Sequence, residues 1–150
     1  MPETVENPYA QPVSTAVPLS AADEKQWAVL THVVSIFLGV VPAIIIWILY
    51  RDRGPFVRAH AVTEFNLQLN VLLVTVLGFV LAFSTVFVSV ATPAVPSTEG
   101  MPPAFALFFV GYFLILGVRL LALIFGIVAS VAASKGKYYR YKGIIQFVRV

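Results

Sequence analysis

The chain has 150 residues, 59% of them hydrophobic, with no cysteine and a formal charge of +3. Its mean hydropathy of +0.90 sits far above a soluble domain, whose apolar share is about 45–50%, and its length suits one domain. Without cysteine a disulfide framework or thiolate metal site is excluded. The basic residues flank apolar runs and form no groove-sized patch, which argues for membrane orientation and against nucleic acid.

Residues 1–19 carry Pro2, Pro8, Pro12 and Pro18 among polar side chains. Such a stretch has too little apolar surface to offset its ordering entropy and reads as a disordered tail. Order is expected from Ser20, whose hydroxyl caps a helix that has Asp23 and Glu24 in its first turn. The first apolar run follows an acidic tail and not a basic one, so no secretory signal is expected. Residues 20–150 form the expected membrane domain.

Three apolar runs follow: Trp27 to Tyr50, Leu67 to Val90 and Ala104 to Ser134. Each is long enough at ~1.5 Å per residue to cross a ~30 Å hydrocarbon core. The reading is an all-α integral membrane bundle of about three spans, the first kinked or broken at Pro42, plus a short interfacial helix. Trp27 and Trp47 with Tyr50 are expected in opposite aromatic belts. The alternative is that Gly39-Val-Val-Pro42 lets two half-helices re-enter, keeping the tail inside, on the cytoplasmic side.

Arg51, Arg53 and Arg58 follow the first run, and Lys135, Lys137, Arg140, Lys142 and Arg149 follow the third. The positive-inside rule therefore predicts a multi-pass plasma-membrane protein with residues 51–66 and the carboxy-terminus cytoplasmic. The amino-terminus, with Lys25, is expected outside. Arg51 to Pro55 reads as a turn with Pro55 opening a helix. That interfacial helix is expected to feed the second span, its arginines facing anionic headgroups.

On the second span Glu64, Gln68, Val71, Thr75, Gly78, Ala82, Thr85 and Ser89 share one helical arc. On the third, Ala122, Gly126, Ser130 and Ser134 recur every fourth residue. Small residues on one face let helix backbones approach closely. Arg119, the one charge within a span, lies on the Ala122–Gly126 face and is expected to point into the bundle or toward a partner.

Chemistry is sparse. His32 and His60 are expected near opposite ends of the first span, which speaks against a shared metal site. His60 and Glu64, four residues apart, form an acid/base pair only in the weakest of three functional readings. Asn66 and Asn70 lie on a different face from Glu64 and Gln68, where they are expected to bond the first helix or lipid headgroups.

Trp27 and His32, then Pro42 and Trp47, then Pro55-Phe56-Val57-Arg58-Ala59-His60-Ala61 with Asn66 and Gln68 resemble a bacterial family of small membrane proteins of unknown function. That family is similar to the plastid inner-envelope import channel subunit of the Tic type. Its pattern runs P-F-V-x-x-H-A-x-E-A-L-N-F-Q, and ASVAASKGKYYRY from Ala129 to Tyr141 resembles its closing A-x-x-A-x-x-G-x-x-Y-R-Y-P. The glutamate is displaced here by one position, to Glu64, and Lys142 replaces the closing proline.

The resemblance implies an all-helical membrane protein and, by distant analogy, a place in protein translocation. The residues favour a non-enzymatic interaction or scaffold component, with a subunit of a translocation or transport complex as the alternative. No cofactor is expected. The expected partners are the bilayer and its anionic headgroups, and a second copy or another membrane protein. Arg119, His60, Glu64, Asn66, Gln68, Arg51, Arg53 and Arg58 are the candidate functional residues.

Overall fold

A computed structural model describes residues 16–91 and 103–149. Four helices follow one another: α1 (Ala21–Leu38), α2 (Val40–Tyr50), α3 (Pro55–Ala91) and α4 (Pro103–Ser134). Among the described residues there is no strand, and the chain after residue 136 runs on without helix. The expected tail falls on residues 1–15, outside the described residues, apart from its last four. Those four are ordered by Arg53, whose carbonyl accepts from Leu19 N–H at 2.8 Å and whose Nε donates to the Val17 carbonyl at 2.9 Å.

Ser20 caps α1 as expected, its Oγ accepting from Asp23 N–H at 3.1 Å. The break between α1 and α2 falls at Gly39 and not at Pro42. Gly39 has φ 66° and ψ −134°, a conformation open to a residue without Cβ. Pro42 sits in the first turn of α2, where a missing N–H forfeits no helical bond.

The turn at Gly39 reverses the chain. Trp27 near the start of α1 and Tyr50 at the end of α2 stack with ring centroids 4.7 Å apart, next to the Leu19–Arg53 bond. The first apolar run is therefore a helical hairpin whose two ends lie together, the re-entrant alternative, and not one crossing. The 11 residues of α2 reach only about 16 Å, well short of the ~30 Å core. Two expectations fall with this: Trp27 and Trp47 do not mark opposite belts, and Leu19 cannot lie across a membrane from Arg53.

The expected interfacial helix and second span are one continuous helix. α3 has 37 residues and α4 has 32, about 55 and 48 Å long. Glu24 of α1 holds the start of α3, its Oε2 accepting from the backbone N–H of Phe56 at 2.7 Å and of Val57 at 3.2 Å. A carboxylate there meets both the unbonded N–H groups and the positive end of the helix dipole.

The small-residue face of α3 packs as expected. Thr75 and Gly78 are buried, and α4 approaches so closely that a Cβ on Gly111 would lie 2.3 Å from the Gly78 carbonyl oxygen. Gly126 in α4 gives the same room to α1, where Ile36 lies against it. Elsewhere α3 and α4 are bare. Only 17% of the most apolar stretch of α3 and 11% of that of α4 is buried, and Phe79, Phe83, Phe87 and Phe113 are at least half exposed. Soluble monomers rarely leave so much contiguous apolar surface to water, and both helices are long and apolar enough to cross a membrane. This is a membrane protein.

The fold also regroups the charges. Lys25 lies over Gly136 at the end of α4, so it joins the basic side it was expected to oppose. Every lysine and arginine except Arg119 now belongs to the end of the molecule that carries the 51–54 turn and the carboxy-terminal segment. Because the chain has no cysteine, single cysteines report sidedness directly. Ser20→Cys, Asp52→Cys and Lys142→Cys should be modified by a membrane-impermeant maleimide from one side, and Ala91→Cys, at the end of α3, from the other. Ser20→Cys labelled from the side of Ala91→Cys would restore the three-span threading.

Candidate functional site

Glu64 stands in the third turn of α3, pointing into the angle between α1, α3 and the carboxy-terminal segment, and is fully buried. A carboxylate without water must be paired and hydrogen-bonded. His32 Nδ1 of α1 donates to Glu64 Oε2 at 2.7 Å, and the Tyr141 hydroxyl donates to the same oxygen at 2.8 Å. Gln68, one turn along α3, donates through Nε2 to Glu64 Oε1 at 2.7 Å and to the Ser35 carbonyl at 3.3 Å. Three separate stretches of chain thus meet on one carboxylate.

The network continues through the other side of the His32 ring, where Nε2 lies 2.8 Å from His60 Nδ1. One proton occupies that contact. It belongs to His60 when His32 is neutral, and to His32 when His32 is an imidazolium bonded to Glu64. The ring nitrogens face each other, so they do not converge on a metal. Among the described residues no three histidine, aspartate or glutamate side chains form a metal-binding group. The expectation that His32 and His60 lie far apart is overturned, because the hairpin folds α1 back alongside the start of α3.

His60 is boxed by aromatic rings, with Phe56 at 4.5 Å and Tyr138 stacked at 6.3 Å. Its Nε2 is buried without a hydrogen-bond partner of good geometry, while the Lys137 backbone faces it. The expected His60–Glu64 pair does not form; Glu64 bonds His32 instead. Burial pushes the Tyr141 hydroxyl far above its ordinary range, and the Glu64 carboxylate pushes it further. Tyr141 therefore stays a donor to Glu64.

Asn66 and Asn70 do not bond the first helix; they bond the carboxy-terminal segment. Asn66 Oδ1 accepts from the N–H groups of Phe147 and Val148, both at 2.9 Å, and its Nδ2 donates to the Val148 carbonyl at 2.7 Å. Asn70 repeats the device on Ile145, at 3.0 and 2.8 Å. Each carboxamide mimics a peptide group, so the carboxy-terminal segment is pinned to α3 like a strand to its neighbour.

The arginines divide. Arg53 ties down residues 17–19 and lies over the Tyr50 ring at 5.6 Å. Arg51 lies over Trp47 at 5.2 Å and pairs with Asp52 at 3.3 Å, both half-exposed. Arg58 is exposed on the same face. Arg119 does not point into the bundle. It is exposed on α4 two turns before Gly126, beyond the level at which α1 ends, so it is not part of the buried network. His32 and Tyr141 were missed as site residues, although both lie in the stretches that carry the family likeness.

Residues 23–148 match the MamF/MmsF family, described as the magnetosome magnetite crystal formation protein family. The chain belongs to the magnetosome magnetite crystal formation protein family. The match takes in the whole buried network, both asparagine clamps and both long helices, and leaves out the tail. It bears out a small bacterial membrane family and lends no support to the Tic-type likeness. No curated protein and no solved structure matches the chain.

In this member of the magnetosome family the network and the clamps make separable predictions. Glu64→Ala leaves His32 and Tyr141 buried without their acceptor and should lower stability by about 3–5 kcal/mol, with Glu64→Gln losing less. Denaturant-induced loss of helical circular dichroism measures both, and an unmoved midpoint in Glu64→Ala would contradict the assignment. Asn66→Ala should speed amide exchange at Phe147 and Val148 about tenfold or more. Exchange there no faster than in the unaltered chain would show that the clamp is idle.

Proposed function

We propose that this chain is a non-enzymatic component of the magnetosome membrane, serving magnetite crystal formation by presenting a fixed basic face to an acidic partner at that membrane. The observation that carries the reading is the closure of the polar network. A catalytic acid or base must come within hydrogen-bond reach of its substrate. His60, Glu64 and Tyr141 are each at most 2% exposed, and Glu64 and Tyr141 spend their bonds on the protein itself. Their role is to lock the hairpin and the carboxy-terminal segment to α3.

What the lock holds in place is the charge. Lys135, Lys137, Arg140, Lys142 and Arg149 are exposed along the segment that Tyr141, Asn66 and Asn70 fix. Arg51, Arg53 and Arg58 adjoin them at the base of the hairpin. Family membership supports the compartment and the process. Arg119 lies exposed on α4, apart from the buried network, and within one copy of the chain gives a conducting role no support.

The test uses cells that form magnetite. A photo-crosslinking residue at the exposed Tyr138 should give one discrete protein adduct, either with a second copy or with another membrane protein. Replacing Lys135 and Lys137 with glutamate should diminish that adduct and change crystal size at unchanged abundance of the chain. The scaffold reading fails if His60→Ala abolishes crystal formation while abundance and thermal unfolding stay as they were, since that result demands chemistry from His60.

A further inference from the structure

Three clefts meet where the carboxy-terminal segment crosses the base of the hairpin. One, of about 240 Å³, is walled by Ala43, Ile44, Trp47, Val62, Phe65 and Val148, and none of its lining is polar. A second, of about 230 Å³, shares Trp47, Val62 and Val148 with the first and adds Arg51, Arg58 and Arg149, with Asp52 as the one acidic group. The third runs on past Arg149 to Arg140. An apolar slot therefore opens directly into a mouth with three guanidinium groups and one carboxylate.

The slot and the mouth are ordered along the helices. In α2 the chain passes from Ala43 through Trp47 to Arg51, and in α3 it returns from Arg58 through Val62 to Phe65. Both helices thus place the charged groups at the basic end and the apolar groups one to two turns deeper. Trp47 stands at the junction, where an amphipathic ring is favoured at a membrane interface. An occupant must be hydrocarbon at the deep end and anionic at the shallow end.

We infer that this composite cleft binds one molecule of an anionic phospholipid, with a segment of acyl chain in the Trp47–Val62–Phe65 slot and the phosphate between Arg58 and Arg149. Arginine suits the head, because its planar fork meets phosphate oxygens two at a time. Arg51 is partly engaged by Asp52 and serves the rim. The site differs from diffuse attraction of a basic surface, because its walls come from three segments and one of them, Val148-Arg149, is held directly by the Asn66 clamp. The inference stands whether or not the basic face also takes a protein partner.

Native mass spectrometry of the full chain in mild detergent tests it, with phosphatidylglycerol, phosphatidylcholine, glycerol 3-phosphate and inorganic phosphate as separate probes. One phosphatidylglycerol should be retained about tenfold more strongly than phosphatidylcholine, the ratio expected from one charge-assisted contact. The double variant Arg58→Gln, Arg149→Gln should lose that preference. Ile44→Trp, which fills the slot without changing charge, should lower retention of both lipids, while Lys142→Gln should change nothing. Equal retention of the two lipids overturns the inference, and so does equal loss in Lys142→Gln, which would mean diffuse charge. Displacement of the lipid by glycerol 3-phosphate or phosphate at matching concentration overturns it as well, since the site would then hold a free anion.

Discussion

A carboxylate held where water cannot reach it sets the architecture of this protein. Desolvating Glu64 costs several kcal/mol unless donors replace the lost hydration, and no single helix supplies enough of them. Gln68 on the same helix serves one oxygen; His32 and Tyr141 serve the other. His32 arrives only if α1 lies against α3, and Tyr141 only if the chain leaving α4 turns back across the same point. The pairing of one residue therefore fixes the placement of two distant parts of the chain, 32 residues before it and 77 after.

A membrane makes such a device more decisive. Between helices in lipid there is no hydrophobic drive to association, because the tails are as apolar as the side chains. Close backbone packing at Gly78–Gly111 and polar bonding at Glu64 take over that task, and they do so at different levels. The glycines join α3 to α4 in the half of the molecule where, among the described residues, those two helices stand alone. The carboxylate joins α1, α3 and the carboxy-terminal segment in the half where the hairpin adds its bulk.

Much of this was legible in the sequence, and the misses share one cause. Helix existence, the Ser20 cap, the Glu64–Thr75–Gly78 face and the small-residue packing all follow from local pattern, and all stand. Apolar length alone could not tell one crossing from a hairpin, because Trp27 to Tyr50 is long enough for either. The difference rests on Gly39 adopting a positive φ, for which the sequence offers a glycine but no compulsion. Reading the run as one crossing, in preference to the re-entrant alternative, separates His32 from His60 and sets Lys25 opposite the basic end it joins. Arg119 does share the helical phase of Ala122 and Gly126, but Gly126 meets Ile36 near the end of α1, and Arg119, two turns farther along α4, lies beyond the level the hairpin reaches and stays exposed. Tyr141 stands in the motif-like stretch from Ala129, but nothing local tells that it bonds Glu64, 77 residues away.

The same carboxylate also accounts for the character of the basic end. Lysines and arginines on an unpinned peptide beside a membrane spread over many arrangements and attract anionic surface without discrimination. Here the segment that bears five of them is fastened at Tyr141 by Glu64, at Ile145 by Asn70 and at Phe147–Val148 by Asn66. Glu64 and Asn66 lie within one turn of α3 and Asn70 in the next, so the segment passes from Glu64 out to Asn70 and folds back to Asn66, held in one register. A fixed register converts a basic tail into a wall, and it brings Val148 and Arg149 beside Trp47 and Arg58. The buried polar network and the exposed cleft are thus one construction: the first fixes a chain segment from within so that the second has a defined shape at the membrane surface.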